Sequence, residues 1–110
     1  YLLDGKNLQY GLGTDLSGAD KEEMVRRFGE VAQILLRAGQ IVVSTTNTFA
    51  LADHQIIRAL VHPHTVITVH MSFVGGALPD NTDLHFLESD DLKAAARTIM
   101  ELMEAKNILL

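Results

Sequence analysis

The 110-residue sequence contains no cysteine. Without thiols it can form neither a disulfide framework nor a thiolate metal site, and it cannot use a cysteine nucleophile. The same absence is typical of proteins from reducing compartments. We therefore expect a cytoplasmic location.

Two further absences bear on the choice of partners. No run of basic residues offsets the net charge of −5, so the field around the protein should repel nucleic acid and anionic lipid. The apolar stretches end well before the roughly 18 residues that mark a transmembrane helix. The sequence thus predicts neither a nucleic-acid partner nor a membrane partner.

The beginning of the chain shows no signal-peptide pattern and no initiator methionine, and Tyr1 lies inside an apolar run. This beginning favours an internal fragment of a longer polypeptide. Apolar residues make up 47% of the sequence and charged residues 21%, a balance that is typical of a globular domain and not of a disordered chain.

Apolar spacing along the chain switches between the period of a strand and that of a helix. The predicted strands are Tyr1–Leu3, Gln40–Thr45, Thr65–Met71 and Leu84–Leu87, and the predicted helices are Asp20–Ala38, Phe49–Val61 and a last helix from Ser89 to near Asn107. Residues 5–19 and 72–82 are rich in glycine and predict loops. Strands that alternate with helices predict an α/β fold, a mainly parallel sheet with helices on its faces, as one domain over residues 1–110.

Helical spacing also predicts the core and the helix ends. The predicted core stripes are Met24, Phe28, Val31 and Leu35, widened by Val25, Ala32 and Leu36, then Ala52, Ile56, Leu60 and Val61, then Leu92, Ala96, Ile99 and Met103. The predicted N-terminal caps are Ser17 or Asp20, Thr48 and Ser89, with Gly39 as a left-handed stop. The methionines at 24, 71, 100 and 103 are interpreted as core residues.

Polar residues follow the first predicted strand at its carboxyl end, where ligands bind in parallel sheets. Asp4-Gly5-Lys6-Asn7 alone would also suit a plain turn. The longer strings are more specific: residues 1–12 read YLLDGKNLQYGL, Asp15-Leu16 follows, and residues 25–32 read VRRFGEVA. They resemble the adenylylsulfate kinase family, whose patterns there are LDGDN-x-R-x-GL, DLGFS and ENIRRIGEVAKL. The resemblance extends to about residue 61.

The resemblance implies a P-loop nucleoside-kinase-like three-layer sandwich, here incomplete and beginning at the second strand of the family fold. Enzymes of this family use ATP and Mg²⁺ to phosphorylate the 3′-hydroxyl of adenylylsulfate. By position, Asp4 matches an aspartate near the reacting hydroxyl and is the catalytic candidate. Asn7, Arg26 and Arg27 match substrate-binding positions, and guanidinium groups suit a phosphosulfate.

The sequence departs from the family's pattern at several ligand positions. Lys6 replaces the second aspartate, where its positive charge would repel Mg²⁺. The other departures are Gln9 for an arginine, Met24 for an asparagine, Thr46 for an aromatic residue and Thr48-Phe49 for a Ser-Pro pair. The sequence also has no G-x-x-x-x-G-K-[ST] loop, which in the family lies upstream of the Tyr1 strand, and no long basic lid segment after the third strand.

Two functional interpretations follow. In the first, the chain is a non-catalytic domain of sulfate activation, a regulatory or assembly module with no cofactor of its own. In the second, it is part of an active adenylylsulfate kinase whose phosphate loop lies upstream and which uses ATP and Mg²⁺. The expected partners are adenylylsulfate or its 3′-phosphorylated product, together with further domains of the same polypeptide or a second copy of the chain.

Simpler interpretations of single residues stay open beside these. An i, i+4 ion pair between Glu22 and Arg26 would explain that arginine without a ligand. His62, His64 and His70 invite a metal, but no carboxylate at a suitable spacing joins them, and zinc sites need three or four ligands. We therefore expect no metal site.

The resemblance also predicts how the sheet is built. The absent phosphate-loop strand would lie between Gln40–Thr45 and Thr65–Met71. Two exposed rows of unpaired backbone groups would favour aggregation. We therefore expect that these two strands pair directly, or that a strand from upstream sequence or from a second copy completes the sheet.

Overall fold

The computed structural model describes residues 1–13, 15–16, 20–46, 49–72 and 82–108, with the backbone only for 7–9 and 51. Within these residues the elements are β1 (Leu2–Asp4), α1 (Gly5–Tyr10), α2 (Lys21–Arg37), β2 (Val43–Thr45), α3 (Leu51–Val61), β3 (Val69–Ser72), β4 (Leu84–Leu87) and α4 (Leu92–Ala105). The α/β class is confirmed. The predicted loop over residues 5–19 is wrong at its start, where α1 forms directly after β1. No described helix is long and apolar enough to cross a membrane.

The chain divides into two compact units, Tyr1–His64 and Thr65–Leu110. In the first unit β1 and β2 pair in parallel, and in the second β3 and β4 do so. The two pairs are separate two-stranded sheets, so the predicted direct pairing of the second and third strands is wrong for the described residues. A crossover through α3 permits that pairing without imposing it, and β3 makes its ladder with β4. Completion by a strand from elsewhere, and a single domain over residues 1–110, stay predictions.

The core of the first unit lies where α2 packs on α3. Val25 is fully buried and Phe28 is 2% exposed, as the predicted stripe of α2 requires. Gly29 permits the closest approach of the two helices, because a Cβ there would lie 2.6 Å from Leu60 Cδ1. The helix ends as predicted at Gly39, which adopts a left-handed φ of 85°.

The predicted core face of α3 is wrong in its first two turns. Ala52 and Ile56 are exposed, whereas Asp53 is buried. The buried aspartate is satisfied, since it accepts a hydrogen bond from the Ala50 N–H (2.7 Å) and an ion pair from Lys21 Nζ (3.0 Å). Hydropathy alone predicts that the apolar residues of the first two turns are buried. In the structure the Asp53 carboxylate, which caps the helix at the Ala50 N–H, is buried instead.

Asp20 takes the N-cap position of α2, as predicted, whereas the starts of α3 and α4 differ from the predicted caps. Ala50 stands at the start of α3, and the predicted cap Thr48 lies outside the described residues, as does Ser17. At α4 the cap is Asp91, whose side chain accepts from the Lys93 N–H at 3.1 Å, and not Ser89.

The predicted core stripe of α4 is wrong in the first part of the helix, whereas Ile99 and Met103 further along are half-buried. Ala95 is buried, whereas Leu92 and Ala96 are exposed. The interpretation of all four methionines as core residues is also wrong, because Met71 is 60% and Met100 53% exposed. Spacing predicts an apolar face but cannot say which part of that face a neighbouring element covers.

Candidate functional site

The candidate catalytic residue Asp4 ends β1, opposite Thr45 at the end of β2 in the parallel register. Asp4 Oδ1 accepts the Lys6 N–H at 2.9 Å and lies 3.4 Å from the Thr45 hydroxyl oxygen. The half-buried carboxylate therefore holds the turn from β1 into α1. The Lys6 side chain is exposed to solvent.

The two strand ends approach each other closely beside this carboxylate. A Cβ at Gly5 would lie 2.9 Å from the Thr45 carbonyl oxygen, so only glycine fits without a backbone shift. The ring of Phe28 lies beneath, with Cε2 at 3.9 Å from the same Cβ position, and it packs edge-on against Phe49 at 5.3 Å. The two phenylalanine rings thus pack beneath the polar surface that Asp4 and Thr45 form.

The two candidate arginines meet on one carboxylate of α2. Arg26 donates to Glu23 through Nε at 2.9 Å and Nη2 at 2.6 Å, and Arg27 donates to it through Nε at 3.0 Å. Hydrogen bonds from Arg26 first, and then Arg27, lower the pKa of Glu23 to about 2. The predicted ion pair between Glu22 and Arg26 is therefore wrong. Glu23 forms both the i, i+3 pair with Arg26 and the i, i+4 pair with Arg27.

Arg27 also ties α2 to the segment after α1. Its Nη1 donates to the Leu12 carbonyl at 2.6 Å and to Asp15 Oδ1 at 2.7 Å, and Nη2 reaches Asp15 Oδ2 at 3.2 Å. This two-pronged contact lowers the pKa of Asp15 and raises that of Arg27. Each nitrogen of the Arg27 guanidinium thus has a protein acceptor, and its side chain is only 26% exposed.

We call Glu23, Arg26, Arg27 and Asp15 the arginine–carboxylate cluster. Its two positive and two negative charges cancel, and an incoming anion gains Arg27, whose three nitrogens all have acceptors, only by displacing one of them. The cluster stabilises the surface of α2 through these ion pairs. A ligand could bind Arg27 only by displacing Asp15 or Glu23 from it.

The structure sorts the predicted site residues into two groups. Asp4 contacts Thr45 at the end of β2, while the arginines contact carboxylates. The Asn7 backbone lies in α1, but its side chain, like that of Gln9, lies outside the described part. Sequence reasoning missed Glu23 and Asp15. Helical spacing could have found Glu23, whereas no local signal reveals a partner that lies 12 residues from Arg27.

The donor chemistry at Asp4 fits Mg²⁺ poorly. Magnesium needs oxygen ligands in a strict octahedron and is usually held by one or two carboxylates besides phosphates and water. Here the Oδ1 atom of Asp4 is already in two contacts, and the residue in place of a second aspartate is Lys6, whose positive charge opposes a divalent cation at this position. Among the described residues no group of three or more histidine, cysteine, aspartate or glutamate side chains could hold a metal. We derive no catalytic step through such an ion.

Comparison with known proteins identifies the family to which the sequence is similar. A family model described as adenylylsulphate kinase matches residues 1–98. Adenylyl-sulfate kinase of Geotalea daltonii is 38% identical over 99 residues, 88% of this chain and 44% of that protein. The enzyme of Shewanella amazonensis is 43% identical over 74 residues, 66% of this chain and 37% of the relative. The chain therefore spans less than half the length of these relatives.

Solved structures give the same fold. The APS kinase of Mycobacterium tuberculosis, in complex with AMPPNP and APS, aligns with a TM-score of 0.80 at 22% identity, over 94% of this chain and 79% of that chain. This likeness confirms the predicted P-loop kinase fold. On the family match, which covers most of its residues, the chain belongs to the adenylylsulphate kinase family.

Proposed function

We propose that this chain is an adenylyl-sulfate-kinase-like domain of sulfate activation that does not transfer phosphate as the 110-residue chain and serves as a regulatory or assembly module. The arginine–carboxylate cluster is the observation that carries the proposal. Arg26 and Arg27, which the resemblance assigns to the substrate, are occupied by Glu23 and Asp15. Lys6, in place of a carboxylate, supports the same conclusion.

An activity assay tests the first part. With adenylyl sulfate, ATP and Mg²⁺, the purified chain should release no ADP above the blank, while the Geotalea daltonii enzyme in the same assay gives a positive signal. Lys6→Asp should not restore turnover, because one carboxylate supplies no cradle for the ATP phosphates. Turnover by the unmodified chain would overturn the proposal.

Calorimetry tests whether the cluster retains a regulatory anion site. If Arg27 can hold the phosphosulfate of adenylyl sulfate or of its 3′-phosphorylated product, Asp15→Asn should bind either ligand several-fold more tightly, since the competing carboxylate charge is removed. Glu30→Gln, an equal charge change on the exposed side of α2, is the matched control. Equal weak heats for both variants would leave only the assembly role.

The retained Asp4 favours a second candidate, an active kinase whose phosphate loop lies upstream of Tyr1. In that case the longer polypeptide should phosphorylate adenylyl sulfate, and Asp4→Asn in it should abolish the activity. Inactivity of a folded longer polypeptide that contains a phosphate loop would exclude this alternative. The cytoplasmic location and the partnership with further domains remain parts of the proposal.

A further inference from the structure

A second polar cluster lies on the parallel pair β3–β4, within the unit Thr65–Leu110. His70 lies opposite His85 in the register of this pair, and their ring centroids are 5.6 Å apart at an interplanar angle of 41°. Ser72 follows His70 on the same face of the strand, and its Oγ lies 2.8 Å from His85 Nε2. All three side chains are half-buried.

We propose that His70 and His85 bind a divalent transition-metal ion, with Ser72 as a positioning residue. Neutral imidazole nitrogens suit Zn²⁺, Ni²⁺ and Cu²⁺. The strand register already places the two rings side by side, so binding need not order a loop. The half-buried position leaves the remaining coordination positions for water.

The Ser72 contact supplies what an imidazole ligand needs on its other nitrogen. A metal-bound histidine usually donates its second ring N–H to a neighbouring acceptor, which fixes the tautomer and the ring orientation. With the Ser72 hydroxyl as acceptor, Nε2 of His85 carries the proton, and Nδ1 is left with the lone pair that binds the ion.

The composition of the pair selects among metals. A carboxylate close enough to join the two histidines would make a group of three ligands, and the described residues contain no such group. Mg²⁺ and Ca²⁺ depend on carboxylate oxygens and should not bind here. Two protein ligands, fewer than a structural zinc site uses, predict a reversible site.

Sequence reasoning grouped the wrong histidines. It set His70 beside His62 and His64, which are close in the sequence. The partner that the parallel register provides is His85, 15 residues further along the chain. Only strand pairing could reveal it.

Calorimetry on the intact chain tests the site with Zn²⁺, Ni²⁺ and Mg²⁺ as their chloride salts. We expect one saturable site for Zn²⁺ and Ni²⁺ and none for Mg²⁺. His70→Gln or His85→Gln should weaken Zn²⁺ binding at least about tenfold because each removes one of the two protein ligands, and Ser72→Ala, which removes only the orienting partner of His85, should weaken it by a smaller factor. His64→Gln, at an exposed turn, is the matched control. Unchanged affinity in both the His70 and His85 variants would overturn the proposal.

A spectroscopic measurement keeps the test decisive if a variant fails to fold. In the unmodified chain, paramagnetic Cu²⁺ at substoichiometric amounts should broaden the amide signals of β3 and β4 first. Broadening that begins at His62 or His64 instead would place the ion elsewhere and refute the site. Circular dichroism of each variant reports whether its fold is retained.

Discussion

Glu23 shows how one side chain can fix the charge state of a surface. Its pKa falls to about 2 because Arg26, and then Arg27, donate hydrogen bonds to the charged carboxylate. The unfolded chain has no such partners, so its glutamate keeps an ordinary pKa near 4.5. Since the folded pKa is the lower one, the stabilisation is complete above the unfolded value and is lost as the pH falls through about 2.

Removal of this carboxylate should therefore have a pH-dependent effect. We expect Glu23→Gln to be less stable than the unmodified chain at pH 7, with a difference that shrinks as the pH falls towards the Glu23 pKa of about 2, where the folded carboxylate is half protonated. Urea unfolding across this pH range measures the difference, and Glu22→Gln, an exposed neighbour outside the cluster, is the control. A stability difference that stays constant down to pH 2 would contradict the role assigned to Glu23.

The contact between helices α2 and α3 depends on glycine at position 29, which has no side chain. At Gly29 an added Cβ would lie 2.6 Å from Leu60 Cδ1 and 3.3 Å from its Cβ. Rotation of the Leu60 side chain relieves only the first overlap. Alanine in a helix is favoured over glycine by about 1 kcal/mol, whereas overpacking typically costs about 1–3 kcal/mol, so the overlap should win.

We expect Gly29→Ala to lower the free energy of unfolding by about 1 kcal/mol, and Gly29→Leu by about 3 kcal/mol. In a Leu60→Ala background the overlap with Cδ1 is removed and only the 3.3 Å contact with the Cβ of residue 60 remains, so the same Gly29→Ala change should destabilise less than it does in the unmodified chain. Gly39→Ala is the contrasting variant. It should lose stability because alanine is strained at a φ of 85°, and since no atom lies within 4 Å of the added Cβ, this loss of stability should not depend on residue 60. Denaturant unfolding of the double-mutant cycle measures this coupling, and its absence would refute the contact.

The elements themselves were largely predictable, whereas their faces and long-range contacts were not. The α2 helix follows from strong apolar periodicity and from the left-handed stop at Gly39. Strand β4 has the bounds predicted from its apolar residues. The short α1 was missed because glycines flank it, and the inward turn of Asp53 because hydropathy takes no account of a satisfied buried carboxylate. Asp4 and the arginines were found through the resemblance, but Asp15 and His85 depend on pairings that only the fold supplies.

At the scale of the whole molecule, the described residues of each unit form a two-stranded sheet, which is marginal without further partners. All three residues of β2 are exposed, and Val43 is 55% exposed although it is apolar. An edge of this kind is a template for another strand. The prediction that a strand from elsewhere completes the sheet is therefore compatible with the pairing of β2 with β1 and of β3 with β4, and it can be tested on β2 alone.

Amide exchange at β2 provides that test. The Val43 N–H donates to the Tyr1 carbonyl at 2.8 Å, on the side of β1. Because successive residues of a parallel strand direct their N–H groups to opposite edges, the Ser44 amide points away from β1. In the dilute chain we expect Ser44 to exchange with solvent much faster than Val43 and Thr45, as measured by hydrogen exchange with NMR detection.

Protection of Ser44 that rises with protein concentration would identify a second copy as the completing strand, and protection seen only in a longer polypeptide would identify upstream sequence. A Ser44 amide that is already protected in the dilute chain, or that stays unprotected under both conditions, would contradict completion of the sheet at this edge.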